Sequence, residues 1–374
     1  MRVLVTGATG FVGSHTVLAL HRDGHDLRLL VRTPARAVSQ LAKAGIDPAT
    51  VEVVRGDITD AESVQDALNG CDAVVHAAAV VGIDGSKAAA ARSTNELGTR
   101  NVLGGAVALG LDPVIYVSSI SALFDPKGAL LLTPESPVSP ATNAYAESKA
   151  ASERYARELQ GAGHPVVCVY PGGVLGPDDP GLSEAMRGAL IWRQLTMADI
   201  DSGYLLIDVR DVAAIIAAAL QPGQGAKRYL AGHHYLRWRE LGRLVAEVTG
   251  RPVLLPPMPG RLLRTIGRVG DVVHHVIPFS FPLSYEAMDT ATRMVPMDDR
   301  ATVEDLDMTF REPIDTLRDT YRWLYESGRL SAWWVPALAN WSGCGNPAGI
   351  WNIDQWRVCR GISRAYRKGV VVPR

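Results

Sequence analysis

The sequence predicts an α/β fold built on a Rossmann-type, doubly wound parallel sheet, with a smaller C-terminal lobe. Three observations lead to this prediction. The short β-branched run Arg2–Thr6 has the composition of a strand buried on both faces. A glycine-rich turn follows it, and Phe11–Arg22 then shows the apolar spacing of a helix. Farther along, short apolar runs alternate with helical segments, which is typical of parallel strands joined by crossover helices.

The glycine turn has the spacing Gly-x-x-Gly-x-x-Gly, one residue wider at its start than the common dinucleotide fingerprint. Gly7 permits the tight turn, Gly10 lets the backbone approach a pyrophosphate, and Gly13 lets the helix pack close to the sheet. The helix N-terminus presents free N–H groups and a partial positive charge. A strand, a glycine turn and a helix in this order predict a dinucleotide site.

Composition narrows the class of protein. The 374 residues suffice for one large domain or two ordinary ones. With 47% hydrophobic residues, 21% charged residues and a formal net charge of −1, we expect a soluble globular protein without a nucleic-acid partner. The four cysteines are scattered, with no Cys-x-x-Cys pair, which indicates a reducing compartment and no zinc site. We find no secretory signal and no apolar run of the roughly 20 residues that a spanning helix needs, so we expect a cytoplasmic enzyme.

Residues after the second and third predicted strands are candidates for the adenosine end of the site. Leu27–Val31 ends in Arg32 with no acid beside it, and an arginine there suits a 2′-phosphate, whereas an acid favours a free 2′-hydroxyl. We therefore prefer NADP(H) and keep NAD(H) as an alternative; a solvated basic loop is the other interpretation of Arg32. After Val51–Arg55, Asp57 is expected to accept a hydrogen bond from the adenine amino group, and Ile58 to cover the ring.

Small residues follow the fourth predicted strand, Ala73–His76. Ala77, Ala78 and Ala79 leave room for a cofactor backbone. His76 is expected to be a packed histidine near the nucleotide rather than a catalyst.

Polar residues mark the next helix and strand. Asn95 lies near the start of the predicted helix Arg92–Leu109, and it is either a surface residue or an amide that orders cofactor or water. The fifth predicted strand, Pro113–Val117, delivers Ser118 and Ser119 at its carboxyl end. Because ligands in open α/β sheets bind outside those ends, we assign these hydroxyls a chemical role.

The predicted helix Asn143–Gln160 carries Tyr145 and Lys149 four residues apart, hence on one face. An ammonium beside a phenol stabilises the phenolate and lowers the phenol pKa, which is about 10 when unperturbed. Tyr145 is thereby moved towards the range in which it passes a proton at neutral pH. Lys149 is also able to hold the nicotinamide ribose.

Taken in order, these features resemble the extended short-chain dehydrogenase/reductase superfamily, often labelled NAD-dependent epimerase/dehydratase, over about Met1 to Gly328. The segments that carry the resemblance are Thr6-Gly7-Ala8-Thr9-Gly10-Phe11-Val12-Gly13, Gly56-Asp57-Ile58-Thr59-Asp60, His76-Ala77-Ala78-Ala79, Val117-Ser118-Ser119, Tyr145-Ala146-Glu147-Ser148-Lys149, Pro171-Gly172-Gly173-Val174-Leu175-Gly176-Pro177 and Ile207-Asp208-Val209-Arg210-Asp211-Val212-Ala213. Within it, the chain is most similar to the dihydroflavonol-reductase and sterol-dehydrogenase branches.

The resemblance implies that Ser119, or Ser118, holds the substrate oxygen, that Tyr145 is the acid/base and that Lys149 is its partner. It places Pro171-Gly172-Gly173 beside the nicotinamide. The implied cofactor-binding residues are Gly7, Thr9, Gly10, Phe11, Val12, Gly13, Arg32, Asp57, Ile58, Ala77, Ala78, Ala79, Asn95, Ser118, Tyr145, Lys149, Pro171, Gly172, Gly173 and Val174. Tyr170 stands where relatives often carry arginine before this proline, which weakens the case for a sugar-nucleotide pocket.

We divide the chain into a mainly dinucleotide-binding part (residues 1–180), a mainly substrate-binding lobe (181–328) and a Trp- and Arg-rich tail (329–374) expected to be weakly ordered. In the lobe, Gly203–Asp208 is expected to be a strand that returns to the sheet. The apolar stretch from Arg251 to Leu283 suits a hydrophobic ketone or alcohol better than a charged sugar nucleotide. Because this stretch is basic and amphipathic, contact with a membrane surface is an alternative role for it. For the tail, the alternative to weak order is a patch that contacts a partner protein or a membrane. His274 and His275 are adjacent and do not face one site, so we expect no metal.

The sequence thus predicts reversible hydride transfer between NADP(H) and a carbonyl or secondary alcohol of a mostly apolar small molecule. Two alternatives stay open: a nucleotide-sugar epimerase or dehydratase, which regenerates its cofactor, and a non-catalytic NAD(P)-binding regulator. By analogy with the superfamily, we expect a homodimer formed through the helices Arg92–Leu109 and Asn143–Gln160.

Overall fold

The computed structural model of the protein describes residues 1–80, 85–128, 130–140, 144–276 and 285–339; at 85–92, 144–145, 272–276 and 286 it describes the backbone alone. The strands are β1 (Arg2–Thr6), β2 (Asp26–Val31), β3 (Glu52–Arg55), β4 (Ala73–His76), β5 (Val114–Val117), β6 (Val166–Pro171), β7 (Gly173–Leu175), β8 (Gly203–Asp208), β9 (Lys227–Ala231) and β10 (His234–Arg237). The helices are α1 (Phe11–Arg22), α2 (Pro34–Lys43), α3 (Ala61–Leu68), α4 (Gly85–Ala108), α5 (Ala144–Gly161), α6 (Glu184–Gln194), α7 (Val209–Ala218), α8 (Trp238–Thr249), α9 (Gly260–Val276), α10 (Tyr285–Arg293), α11 (Arg300–Leu306), α12 (Pro313–Glu326) and α13 (Pro336–Ala339).

Seven parallel strands form the main sheet in the order β3-β2-β1-β4-β5-β6-β9, which confirms the predicted doubly wound parallel sheet. Its central strands are fully buried, with Val3, Leu4 and Val5 of β1 at 0% exposure. This is the burial that a continuous β-branched run indicates. Helices lie on both faces of the sheet; α1 packs beside α7 on one face, and α4 beside α5 on the other.

The strand order reverses direction between β1 and β4, and this reversal locates the site. Thr6 at the end of β1 pairs with His76 at the end of β4, so the residues that follow both strands meet at one edge. Val117 of β5 pairs with Val169 of β6, which brings the serines after β5 to the same edge. Ligands in doubly wound sheets bind outside the carboxyl ends at such a reversal.

Gly203–Asp208 is a strand, but the expectation that it returns to the main sheet is wrong. It forms a separate three-stranded sheet in which β8 lies between β7, to which it is parallel, and β10, to which it is antiparallel. The strand that rejoins the main sheet is β9, paired with β6. Local periodicity predicts a strand but not its partner, because pairing is decided by contacts distant in the sequence.

The predicted helices Phe11–Arg22 and Asn143–Gln160 agree with α1 and α5 within one residue, whereas the predicted helix Arg92–Leu109 differs from α4. Helix α4 begins at Gly85, seven residues before the predicted start at Arg92. The added residues include the alanines 88–91, and alanine has the highest helix propensity. Asp60 caps α3, since its carboxylate accepts a hydrogen bond from the Glu62 N–H.

A buried carboxylate joins α5 to the main sheet. Glu153 on α5 is 0% exposed and accepts hydrogen bonds from Ser118 Oγ after β5 (3.0 Å) and the Tyr170 hydroxyl on β6 (2.6 Å). Arg157 Nε, one turn farther along α5, donates to it at 2.8 Å. A buried carboxylate needs such partners, because desolvation alone would disfavour its charge. The network holds α5, and therefore Lys149 one turn earlier, against the ends of β5 and β6.

Replacing Glu153 by alanine should lower the free energy of unfolding by about 3 kcal/mol, because it leaves the buried hydroxyls of Ser118 and Tyr170 and the half-buried guanidinium of Arg157 without their acceptor. Urea denaturation measures this change. Glu158→Ala, which removes an exposed carboxylate from the same helix, should change stability by less than about 0.5 kcal/mol. Equal stability of the two variants would contradict the role given to the buried network.

Candidate active site

The glycines of the first turn differ in what requires them. Gly7 adopts φ +75°, and a Cβ there would lie 2.5 Å from Ala78 N; a Cβ at Gly13 would overlap the Gly7 carbonyl oxygen. Gly7 and Gly13 are therefore required by the fold. Gly10 is exposed, and a Cβ there would meet only the Gly7 carbonyl oxygen, at 3.2 Å. Since packing hardly restricts Gly10, its missing side chain leaves the turn open to a ligand.

The N-terminus of α1 has the features of an anion site. Gly10 is its N-cap, no side chain caps it, and its first turn contains no acidic residue. The free N–H groups and the positive end of the helix dipole therefore face the space beside the turn. These features fit the pyrophosphate of a dinucleotide. Within the turn, the Thr9 carbonyl accepts a hydrogen bond from Gln40 Nε2 (3.2 Å).

The two residues after the turn point into the lobe. Phe11 is 9% exposed and packs edge-to-face on His15, with the ring centroids 5.7 Å apart. Val12 and Val174 pack against the same apolar cluster of the lobe as Phe11. The start of α1 and the segment after β6 are thereby neighbours, as a shared cofactor site requires.

At the predicted adenosine end, Arg32 is exposed directly after β2. Asp57 Oδ1 accepts hydrogen bonds from the N–H (3.0 Å) and hydroxyl (2.8 Å) of Thr59, which lower the pKa of this carboxyl; the charge of Arg32 acts in the same direction. Ile58 lies against Gly98 of α4, where a Cβ would overlap its side chain. Asp57 is thus held ionised near Arg32, and their contacts with adenosine stay predictions.

The residues after β4 line the turn from the other side. The N–H groups of Ala77 and Ala78 donate to the Thr6 carbonyl oxygen (3.2 Å) and hydroxyl (3.4 Å), and Ala79 is exposed. His76 is 1% exposed and bonds Thr6 Oγ1 through Nδ1 at 2.7 Å. Burial lowers the pKa of His76 to about 3, so the ring is neutral, in agreement with a packed histidine.

Asn95 is buried rather than on the surface, at 4% exposure. Its amide accepts from Val80 N (2.7 Å) and donates to Val80 O (2.9 Å) and Ser148 Oγ (2.8 Å). Asn95 therefore fastens the segment after β4 to α5. Its direct contact with a cofactor stays a prediction.

The two serines after β5 face different surroundings. Ser118 is 4% exposed and donates to Glu153, so its hydroxyl belongs to the buried network. Ser119 is half-buried, and its Oγ accepts from Ser121 N at 3.2 Å. The Ser119 hydroxyl makes no other hydrogen bond within the described ranges, so its proton is available for a ligand. Of the two residues, Ser119 is the better candidate for holding a substrate oxygen.

Lys149 lies within α5 at only 5% exposure, with Nζ 5.9 Å from the centroid of the Tyr116 ring. Burial lowers the pKa of Lys149 from 10.5 to about 8, and the charge of Glu153 opposes this shift. Tyr145 is in the first turn of α5, but its side chain lies outside the described residues. The pairing of Tyr145 with Lys149 therefore stays a prediction.

The segment after β6 closes the site towards the lobe. β6 ends at Pro171, and Gly172 N donates to the Ala231 carbonyl at the end of β9 (2.8 Å). A Cβ at Gly173 would overlap the ring and hydroxyl of Tyr204 on β8. Both glycines are thus required by close approaches of neighbouring strands.

Sequence reasoning missed Glu153, although its spacing from Lys149 is one helical turn.

Among the described side chains, no three His, Cys, Asp or Glu residues are grouped as metal ligands, and no described helix is long and apolar enough to cross a membrane. The side chains of His274 and His275, and the tail from residue 340, lie outside the described residues.

Comparison with known proteins agrees with the sequence resemblance. The sequence profile of the NAD dependent epimerase/dehydratase family matches residues 3–232. A putative dihydroflavonol 4-reductase from Synechocystis sp. is 29% identical over 334 residues, which are 87% of this chain and 94% of that protein. Sterol demethylase protein B from Methylococcus capsulatus is 31% identical over 277 residues, which are 72% of this chain and 81% of that protein.

Solved structures share the fold. The crystal structure of gox2253 superposes with a TM-score of 0.73 at 26% identity, over 88% of this chain and 99% of that one. Vestitone reductase from alfalfa superposes with a TM-score of 0.65 at 20% identity, over 88% of this chain and 99% of that one. The profile match over more than half of the chain, the curated relatives and the glycine-turn geometry together show that this chain belongs to the NAD-dependent epimerase/dehydratase family of extended short-chain dehydrogenases/reductases.

Proposed function

We propose that the protein is an NADP(H)-dependent oxidoreductase that interconverts a carbonyl and a secondary alcohol on a mostly apolar small molecule. The family is NAD(P)-dependent, and the relatives above include proteins named as a reductase and as a sterol-modifying protein. The stretch from Arg251 to Leu283, which is rich in apolar residues, suits an apolar substrate better than a charged one.

The buried ammonium of Lys149 is the observation that carries this proposal. At neutral pH it is protonated although it lies in a site that lowers its pKa to about 8. Keeping it charged there costs about 3 kcal/mol, since each pKa unit corresponds to about 1.4 kcal/mol. A surface lysine would avoid this cost, so a buried cation at the carboxyl edge of the sheet indicates a chemical use.

In the proposed mechanism, Ser119 donates a hydrogen bond to the substrate carbonyl oxygen and Tyr145 donates the proton that this oxygen gains on reduction. Lys149 lowers the pKa of the Tyr145 phenol through its positive charge. When bound, the nicotinamide supplies the hydride for reduction and takes it up in the reverse direction. Glu153 acts indirectly, by holding α5 and Ser118 in place.

The NADP(H) preference rests on Arg32. Its guanidinium is exposed directly after β2, beside the ionised Asp57. Arginine binds a phosphate through two parallel hydrogen bonds, so it suits a 2′-phosphate at this position.

We also propose a homodimer that forms through α4 and α5, which pack side by side and leave Leu97 of α4 44% exposed. A cytoplasmic location is proposed from the scattered cysteines. Peripheral membrane contact is the alternative suggested by exposed apolar residues of the lobe, with Leu254 at 72% and Val269 at 57% exposure.

Titration with NADPH and NADH, followed by a screen of ketones, aldehydes and UDP-sugars for loss of NADPH absorbance, tests this function. The proposal expects net NADPH consumption with an apolar ketone. An epimerase would convert a UDP-sugar without net consumption. A cofactor-binding regulator would bind NADPH without turning over any member of the panel.

Tyr145→Phe should keep NADPH affinity within about two-fold and reduce turnover by about 100-fold or more, because it removes the proton donor. Steady-state kinetics and fluorescence titration measure the two effects. Tyr155→Phe, a change of the same type farther along α5, should leave both unchanged. Wild-type turnover in Tyr145→Phe would refute the acid/base assignment.

Arg32→Ser should reduce the wild-type preference for NADPH over NADH by about ten-fold, since a charged hydrogen bond to the 2′-phosphate is worth about 1.5 kcal/mol or more. Dissociation constants for both cofactors report this ratio. Lys43→Ser, which removes an exposed positive charge at the far end of α2, serves as the control. A wild-type protein without a preference would remove the basis for NADP(H).

Lys149→Met should alter how stability depends on pH in the cofactor-free protein. The folded-state pKa of Lys149, about 8, lies below its ordinary value of 10.5, so the unfolded chain binds more protons between these pH values. The contribution of Lys149 to the free energy of unfolding therefore rises by about 3 kcal/mol from pH 8 to 10.5 and is constant below that window.

Urea denaturation of the wild type and Lys149→Met at both ends of this window measures the difference between them. The rise should be absent in Lys149→Met and retained in Lys127→Met, which removes an exposed lysine. Parallel pH profiles for the wild type and Lys149→Met would show that the ammonium is not buried as described.

A further inference from the structure

Apolar side chains lie exposed where the lobe meets the start of the tail. Among the described residues, four large hydrophobic side chains are at least 60% exposed: Leu130, Leu195, Leu254 and Trp333. Leu130 belongs to the loop between β5 and α5, whereas the other three lie near one another. Large apolar side chains grouped on a surface mark a place where something else binds.

Hydrogen bonds place these three residues on one stretch of surface. The Leu254 carbonyl accepts from the Thr196 hydroxyl (2.8 Å), so Leu195, the residue before it, lies beside Leu254. Arg251 Nη1 donates to the Trp333 carbonyl (2.7 Å), and its guanidinium lies 3.5 Å from the centroid of the Trp333 ring. We call Leu195, Arg251, Leu254 and Trp333 the Trp333 patch.

The patch has positive charge beside it without a matching acid. Arg193 is only 5% exposed and donates to the carbonyls of Trp334 (2.9 Å) and Pro252 (3.3 Å). Within the described ranges, neither Arg193 nor Arg251 forms an ion pair with a carboxylate. Burial lowers the pKa of Arg193, and the nearby charge of Arg251 acts in the same direction. An acidic group beside these two cations would therefore be attracted to them.

The chain continues beyond the described residues from a point beside this patch. Val335 is fully buried, so the chain before α13 is fixed to the lobe. In α13, Ala337 lies against Gly250, where a Cβ would be 2.7 Å from the Ala337 Cβ, and Gly250 directly precedes Arg251. Because α13 ends two residues later, residue 340 begins close to the patch.

The rest of the tail divides into two segments of unlike composition. Residues 340–356 contain three of the chain's eight tryptophans, two isoleucines and a single charged residue, Asp354. Residues 357–374 contain six basic residues and no acid. The first segment therefore has apolar side chains suited to the patch and one acid suited to its arginines, whereas the second segment would be repelled by them.

We propose that residues 340–356 cover the Trp333 patch of their own chain, with Asp354 beside Arg251, and that residues 357–374 stay off it. An attached segment loses little translational freedom on docking, which favours it over a separate molecule. This inference goes beyond the proposed function and does not rest on it. It assigns the exposed side chain of Leu254 to an intramolecular contact instead of a membrane.

Hydrogen–deuterium exchange of the full-length protein, measured by mass spectrometry, tests the inference. In the wild type, the amides of residues 340–356 should exchange at least about ten-fold more slowly than those of residues 357–374. Leu254→Ser should abolish most of this protection, because it removes an apolar contact, and should leave exchange in the main sheet unchanged. Leu130→Ser, which changes an exposed leucine outside the patch, should keep the protection intact.

The charge contribution has its own pair of variants. Asp354→Asn should speed the exchange of residues 340–356 by about three-fold, as expected for one exposed ion pair. Arg357→Gln, which removes the first charge after the segment, should leave that exchange unchanged. An equal effect of the two substitutions would contradict the placement of Asp354 beside Arg251.

Equal exchange of the two tail segments in the wild type, or protection that survives Leu254→Ser, would overturn the inference. Protection that grows with protein concentration would show that the patch binds the tail of a second copy, which also overturns it. Fast exchange of residues 340–356, together with binding to phosphatidylglycerol vesicles that is lost in Leu254→Ser, would assign the patch to a membrane surface and overturn it as well.

Discussion

The start of α1 lies so close to the Gly7 carbonyl that Gly13 has no room for a side chain. Gly7 in turn lies against the backbone of Ala77 and Ala78, which follow β4. Strand β1, the turn, α1 and the end of β4 are thus fitted together by backbone contacts that no rotamer change can relax. The position of the helix N-terminus, and with it the place where a pyrophosphate would bind, follows from these contacts. Every other part of the site is arranged around that point.

Helix α5 carries two buried, oppositely charged residues one helical turn apart, Lys149 and Glu153. Burial disfavours the ammonium of Lys149, and the nearby Glu153 partly offsets this. The Glu153 oxygens accept hydrogen bonds from Ser118, Tyr170 and Arg157. The negative charge of Glu153 therefore acts on Lys149 through space rather than through a direct hydrogen bond. The ammonium thereby stays available to other groups at the edge of the sheet.

Local patterns were sufficient for most of the fold and for the glycine turn. The bounds of β1, α1, α3 and β4 follow from hydrophobic periodicity, glycines and caps, all of which act over a few residues. Pro34, two residues after Arg32, begins α2, a position that proline favours.

The features that sequence reasoning missed depend on contacts distant in the chain. The partners of β8 are set by pairing with β7 and β10, and the burial of Glu153 is set by residues from two strands. The roles of Ser119, Tyr145 and Lys149 stay predictions, because they concern groups that meet only when cofactor and substrate are bound.

A single residue, Gly172, separates the last strand before the site from the first strand of the small sheet. Its N–H is bonded to the end of β9, so no slack chain links the two sheets there. A displacement of the small sheet is therefore passed to the end of β6 instead of being absorbed by a loop. Under the proposed function the nicotinamide binds beside this segment, so a change in the lobe that alters substrate choice would also shift the geometry of hydride transfer.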